Sequence, residues 1–132
     1  MRAISALALA PLLLAACQQD ESIAAFLPEG STWQLAELAG TPFAGRAEIS
    51  FGPHGTVRGR APCNSFRASQ TAPYPWVEIT DLVTARTTCG QIGQERAFLS
   101  ALGQAAFAEV AGEVLILTSE EGREMVFRRT WP

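Results

Sequence analysis

From Ser31 onward the apolar residues of this chain recur at every second position, in short runs separated by turn residues. A period of two sends successive side chains to opposite faces of an extended backbone, so each run is a strand with one buried face. In "TWQLAEL", Trp33 and Leu35 share one face and Gln34 and Ala36 the other. "AEISF" sets Ala47, Ile49 and Phe51 against Glu48 and Ser50, and "TVRGRA" sets Val57, Gly59 and Ala61 against Thr56, Arg58 and Arg60. "GPHG" has the composition of a turn that joins these two as a hairpin. Gly59 falls on the inner face, where a missing side chain marks a bend or the close approach of another backbone. "SFRAS", "WVEI", "AFAEV", "EVLILT" and "EMVFR" continue the series, with Val77 and Ile79, Leu115 and Leu117, and Met125 and Phe127 as inward pairs. The period changes once, in "QIGQERAFLSALGQ", where Phe98, Leu99 and Leu102 follow helical spacing and Gly103 ends the run. About eight short strands with close turns and one short α-helix predict a mainly β domain, built as a small antiparallel barrel or tightly curled sheet. Closing the sheet removes edges that would otherwise pair with other chains.

The chain opens on a different signal. After Arg2 comes an apolar run of 14 residues, Ala3 to Ala16, interrupted only by Ser5 and Pro11. That length suits the hydrophobic region of a secretory signal and falls short of the ~20 residues that a spanning helix needs. The run ends in Leu14-Ala15-Ala16-Cys17, which resembles the bacterial lipobox. The resemblance implies cleavage before Cys17, acylation of that cysteine and its new amino terminus, and anchoring in a membrane. Gln18 in the next position points to the periplasmic face of the outer membrane. On this basis residues 1–16 are a lipoprotein signal peptide, residues 17–30 a lipidated tether, and residues 31–132 one domain. The tether has an apolar middle, Ile23 to Leu27, suited to resting on the domain or on the bilayer.

Without Arg2, nine arginines face thirteen Asp and Glu residues, a formal charge of −4, and there is no lysine. The charges are scattered with no basic run, which argues against nucleic acid as a partner. Arg58, Arg60 and Arg67 would align on the polar face of neighbouring strands, as a small anion-binding stripe or as ordinary solvated arginines. His54 lies alone in the "GPHG" turn, with no nucleophile elbow nearby, and reads as a solvated turn residue. Glu120, Glu121 and Glu124 read as a hairpin tip and not as a pair of glycosidase carboxylates.

If Cys17 carries lipid, Cys63 and Cys89 remain. Outside the cytosol, two cysteines in a small domain are most simply a disulfide. The alternatives are two free buried thiols, a metal site or a reactive cysteine. A metal needs more ligands than two cysteines and a distant histidine supply. Asn64 follows Cys63 where the chain must turn, and asparagine suits a turn by bonding nearby backbone and by tolerating left-handed conformation.

Three blocks of residues then resemble a known family. They are Trp33-Gln34-Leu35 with Ile49, Phe51, Gly55, Val57 and Gly59 leading into Cys63-Asn64; Leu82 through Arg86-Thr87-Thr88-Cys89 followed by Glu95, Phe98, Leu99 and Leu102; and Leu115-Ile116-Leu117 with Phe127. Their order and spacing are similar to the META domain, also called HslJ-like, of bacterial envelope lipoproteins and secreted proteins. The similarity runs from about Ser31 to Phe127. Pro62 stands where the family usually has a small residue, and Ala85 where it has a threonine. The resemblance implies a lipocalin-like small barrel, an association with envelope stress, and no catalytic residue set to carry over.

The expectation is therefore a non-enzymatic, monomeric envelope lipoprotein with no cofactor and no metal, acting as a binding or envelope-stress support module toward an envelope protein. A second possibility is an inhibitor of a lysozyme or secreted protease, presenting the Gln70 to Trp76 loop with Tyr74 and Trp76, since aromatics dominate hot spots. A third is a carrier of a small apolar ligand, for which Trp33, Phe51, Phe66, Phe98 and Phe127 leave little room inside.

Overall fold

The alternation becomes a single antiparallel sheet in the computed structural model, which describes Ala3, Pro11 and residues 19–130. The expected lipidation site at Cys17 and most of the expected signal region lie outside the described residues. The strands are β1 (Thr32–Leu38), β2 (Thr41–Pro42), β3 (Glu48–Phe51), β4 (Thr56–Arg60), β5 (Ser65–Ser69), β6 (Thr80–Thr84), β7 (Ala105–Ala111), β8 (Val114–Ser119) and β9 (Glu124–Thr130). Their order across the sheet is β6-β5-β4-β3-β1-β9-β8-β7, with the short β2 added to β1. Helix α1 (Ile92–Gly103) connects β6 to β7.

The inward residues behave as the pattern predicts. Trp33, Ile49, Val57, Phe98, Leu102, Leu115, Leu117 and Phe127 are fully buried in one core, with Phe51, Phe66 and Met125. The Trp33 indole N–H donates to Ser31 Oγ at 2.9 Å, so its polar atom is satisfied. Gly59 is explained by a close approach. A Cβ there would strike the carbonyl oxygen of Glu48 on β3 and the Phe66 ring on β5. Phe66 thus fills the space that Gly59 leaves, and packs edge-on against Phe98 of α1 with centroids 5.6 Å apart.

Two elements differ from expectation. β2 is a ninth strand among the described residues, paired to β1 through Leu38 and Thr41. The predicted strand "WVEI" is displaced: the regular ladder begins at Thr80, and Trp76 makes only an isolated bridge to Phe107. The cause is the destination of the backbone groups. Pro75 has no N–H, the Trp76 N–H closes a turn onto Pro73 O, and the Glu78 N–H is taken by the Gln70 side chain at 2.7 Å. Val77 and Ile79 still face inward, the first buried and the second half-buried against the core.

This displacement shapes the whole sheet. Its ladder is open between the edge strands β6 and β7. Yet Val77 N–H bonds Ala106 O, and Ala108 N–H bonds Pro75 O, at 2.9 and 2.8 Å. One continuous stretch of chain, residues 75–84, therefore holds β7 with its first half and β5 with its second. The sheet is barrel-like, with this stretch along its seam.

Candidate functional site

Ala61 N–H bonds Asn64 O, closing the tight connection between β4 and β5, with Pro62 and Cys63 between them. Proline fits there because its fixed φ suits the second position of a turn. In an ordinary β-turn the Asn64 N–H would bond the carbonyl three residues back. Here it donates to Glu95 Oε1 of α1 at 2.8 Å, and the Cys63 N–H donates to the same oxygen at 3.0 Å. Asn64 Nδ2 donates to Glu95 Oε2 at 2.7 Å and to Thr87 O at 2.8 Å, while its Oδ1 accepts from Thr87 N–H at 2.9 Å. Cys63 and Cys89 form a disulfide across the same place, with Cα atoms 5.7 Å apart. Turn, loop and helix are thus clasped by one covalent bond and five hydrogen bonds. The disulfide removes both thiols from reactive or metal-binding roles.

Asn64 takes part in the clasp by a different route from the local turn bonding expected of it. Its φ is not positive, and its side chain reaches a segment 23 residues away and not its own neighbourhood. Glu95 is the residue that pattern reading undervalued. It is 3% exposed. The available signal is its position three and seven residues before Phe98 and Leu102, which places a carboxylate on the apolar stripe of the helix. Gln70, 2% exposed, was missed as well; its Oε1 accepts from Ala72 and Glu78 N–H groups and its Nε2 donates to Ala72 O.

The arginines lie on the outer face. Arg58 of β4 and Arg67 of β5 are directly opposite each other, and Arg60 stands opposite Ser65. All three are exposed, and among the described residues no carboxylate comes within ion-pair distance of them. Like charges facing each other on adjacent strands are unfavourable. Arg58, Arg67, Ser69 and His54 border a shallow depression of about 350 Å³, which Asp81 also lines. His54 is exposed with φ of 58°, in keeping with a solvated turn residue.

The aromatic loop does not project. Pro73 bridges Ser22, Tyr74 N–H bonds Glu21 O at 2.8 Å, and residues 75–77 bond β7. Tyr74 is half-buried and stacks on Phe26 with centroids 4.3 Å apart. Trp76 is 53% exposed and lies 4.9 Å from the Phe107 ring. The apolar segment Ile23 to Leu27, the middle of the expected tether, rests on the domain, with Ile23 and Leu27 in the core and Phe26 exposed. Glu120, Glu121 and Glu124 are exposed around the β8–β9 turn. No group of three or more His, Cys, Asp or Glu side chains among the described residues is placed to hold a metal ion.

None of the curated proteins matches this chain. Three solved structures share the fold. An NMR structure of a protein from Burkholderia xenovorans has 19% identity and a TM-score of 0.67, covering 100% of this chain and 99% of that one. A crystal structure of a duf4847 family protein from Bacteroides vulgatus has 16% identity and a TM-score of 0.64, covering 80% and 96%. A further NMR structure has 18% identity and a TM-score of 0.63, covering 80% and 92%. The family model of the META domain matches residues 25–131, so it takes in the end of the docked tether as well as all nine strands and the helix. This chain belongs to the META domain family.

Proposed function

We propose that this chain is a non-enzymatic lipoprotein of the bacterial envelope, held on the periplasmic face of the outer membrane by lipid on Cys17, which supports the envelope by binding an acidic partner. The observation that carries the binding role is the facing pair Arg58 and Arg67, with Arg60 beside it and no ion-pair partner among the described residues. An incoming carboxylate or phosphate group would relieve that repulsion and accept the planar, forked hydrogen bonds that guanidinium groups favour. The hydroxyls of Ser65 and Ser69 on the same strand add further donors. The non-enzymatic reading is supported by the buried polar groups. Among the described residues, the buried side chains of Asn64, Glu95 and Gln70 direct their bonds at backbone or at each other.

The pinned Gln70–Trp76 loop does not favour insertion into a lysozyme or protease active site. The aromatic core occupies the interior positions and gives the carrier reading no support. The test is photo-crosslinking in intact cells from Ser69, with and without the double substitution Arg58→Glu and Arg67→Glu. A crosslinked protein that disappears on charge reversal is expected. Crosslinks unchanged by charge reversal contradict the arginine face as the contact.

A further inference from the structure

We infer that the Phe26–Tyr74 and Trp76–Phe107 pairs seat the domain on the surface of the lipid bilayer. This rests on the proposed acylation of Cys17. The first part of the case is the length of free chain. Ser22 is bridged to Pro73, and Tyr74 N–H bonds Glu21 O. Five residue steps separate Cys17 from Ser22, a reach of at most ~18 Å when fully extended. The tether that looked 14 residues long is therefore short, because Ile23 and Leu27 are buried in the domain. An acylated Cys17 would hold the Ser22–Pro73 bridge within that distance of the bilayer.

The second part is what surrounds the bridge. Four residues after Ser22 comes Phe26, 53% exposed and stacked on Tyr74. Three residues after Pro73 comes Trp76, also 53% exposed, against Phe107 at 37%. Singly exposed apolar residues need no explanation. Here three of them, in two contacting pairs, flank the point where the tether leaves the domain. Of the three, Trp76 has the amphipathic ring that settles at the level of lipid headgroups, and Phe26 and Phe107 add apolar surface beside it. The carboxylates Glu78, Glu120 and Glu121 line the cleft beside Trp76 and would repel anionic headgroups, so the contact is with zwitterionic lipid.

Trp76 is itself the reporter. Trp33 is fully buried, and Trp131→Phe removes the remaining indole. The full chain carrying Trp131→Phe is isolated from membranes, its acylation is checked by mass, and it is placed in zwitterionic vesicles containing lipids brominated on the acyl chain. Quenching of fluorescence is expected, with most of it lost in Trp76→Phe and a partial loss in Phe26→Ser with Phe107→Ser. Full acylation with unquenched Trp76 overturns the docking and leaves the lipid anchor standing, the result if this face meets a protein instead. Absence of acyl mass overturns the anchor and the docking together.

Discussion

A carboxylate on the apolar face of a helix is costly unless its oxygens are occupied, and Glu95 meets that condition with three donors. Glu95→Ala leaves the Cys63 and Asn64 N–H groups without partners, at about 1–3 kcal/mol each. Glu95→Gln keeps one acceptor oxygen but turns an amide toward a donor. Urea unfolding should rank the losses as Ala above Gln above wild type. Equal stability of the three would show that the clasp contributes nothing. Ala39 makes a prediction of the opposite sign. It has φ of 51° and is followed by Gly40 at 79°, the pattern of a two-residue hairpin turn with both central residues left-handed. Alanine is strained there and asparagine is favoured, so Ala39→Asn should stabilise the protein by up to ~1 kcal/mol in the same assay. The same alanine hid β2 from pattern reading. The Asn-Gly or Asp-Gly signal of such a turn is missing, and the strand that follows is two residues long and contains Pro42.

At the scale of elements, strands with one buried face were legible because burial alternates with the pleat, as β8 shows position by position. The "WVEI" segment was not, since its bonds are decided by Gln70 and by β7, both distant in sequence. The disulfide was legible from cysteine count and the compartment that the lipobox-like start implies, whereas the Glu95 clasp around it depends on α1 meeting the β4–β5 turn in space. These two restraints act on one junction. Replacing Cys63 and Cys89 by serine should remove roughly 3–4 kcal/mol through the greater conformational freedom of the unfolded chain. Calorimetry should still show a cooperative transition, because the hydrogen-bonded clasp remains. Loss of any cooperative unfolding would assign the junction to the disulfide alone.

At the scale of the molecule, the sheet is joined along its seam by residues 75–84, and the tether is docked beside that seam. Asp20 helps to hold it. Hydrogen bonds from the Ser22 hydroxyl and then from the Ser22 N–H, the latter at 2.8 Å, keep the Asp20 carboxyl below the ordinary carboxylate value. Its stabilisation is fully present above the ordinary value of 3.8 and fades as pH falls through the lower folded value. Hydrogen exchange at Ser22 should therefore quicken, relative to the intrinsic rate, only below about pH 4. Asp20→Asn should show the quicker exchange at every pH. The proposed contact surfaces were the least legible feature. The alternation pattern places Arg58, Arg60 and Arg67 on one polar face, but the direct Arg58–Arg67 pairing follows from register, and the exposure of Trp76 from the course of the seam.

The central claim is that this META domain works as a lipid-anchored module outside the cytosol. Intact mass spectrometry of the chain extracted from cell envelopes under alkylating conditions tests it most directly. The expected species begins at Cys17, carries acyl mass there, and has Cys63 and Cys89 unalkylated. A chain that begins at Met1 with all three cysteines alkylated would contradict it.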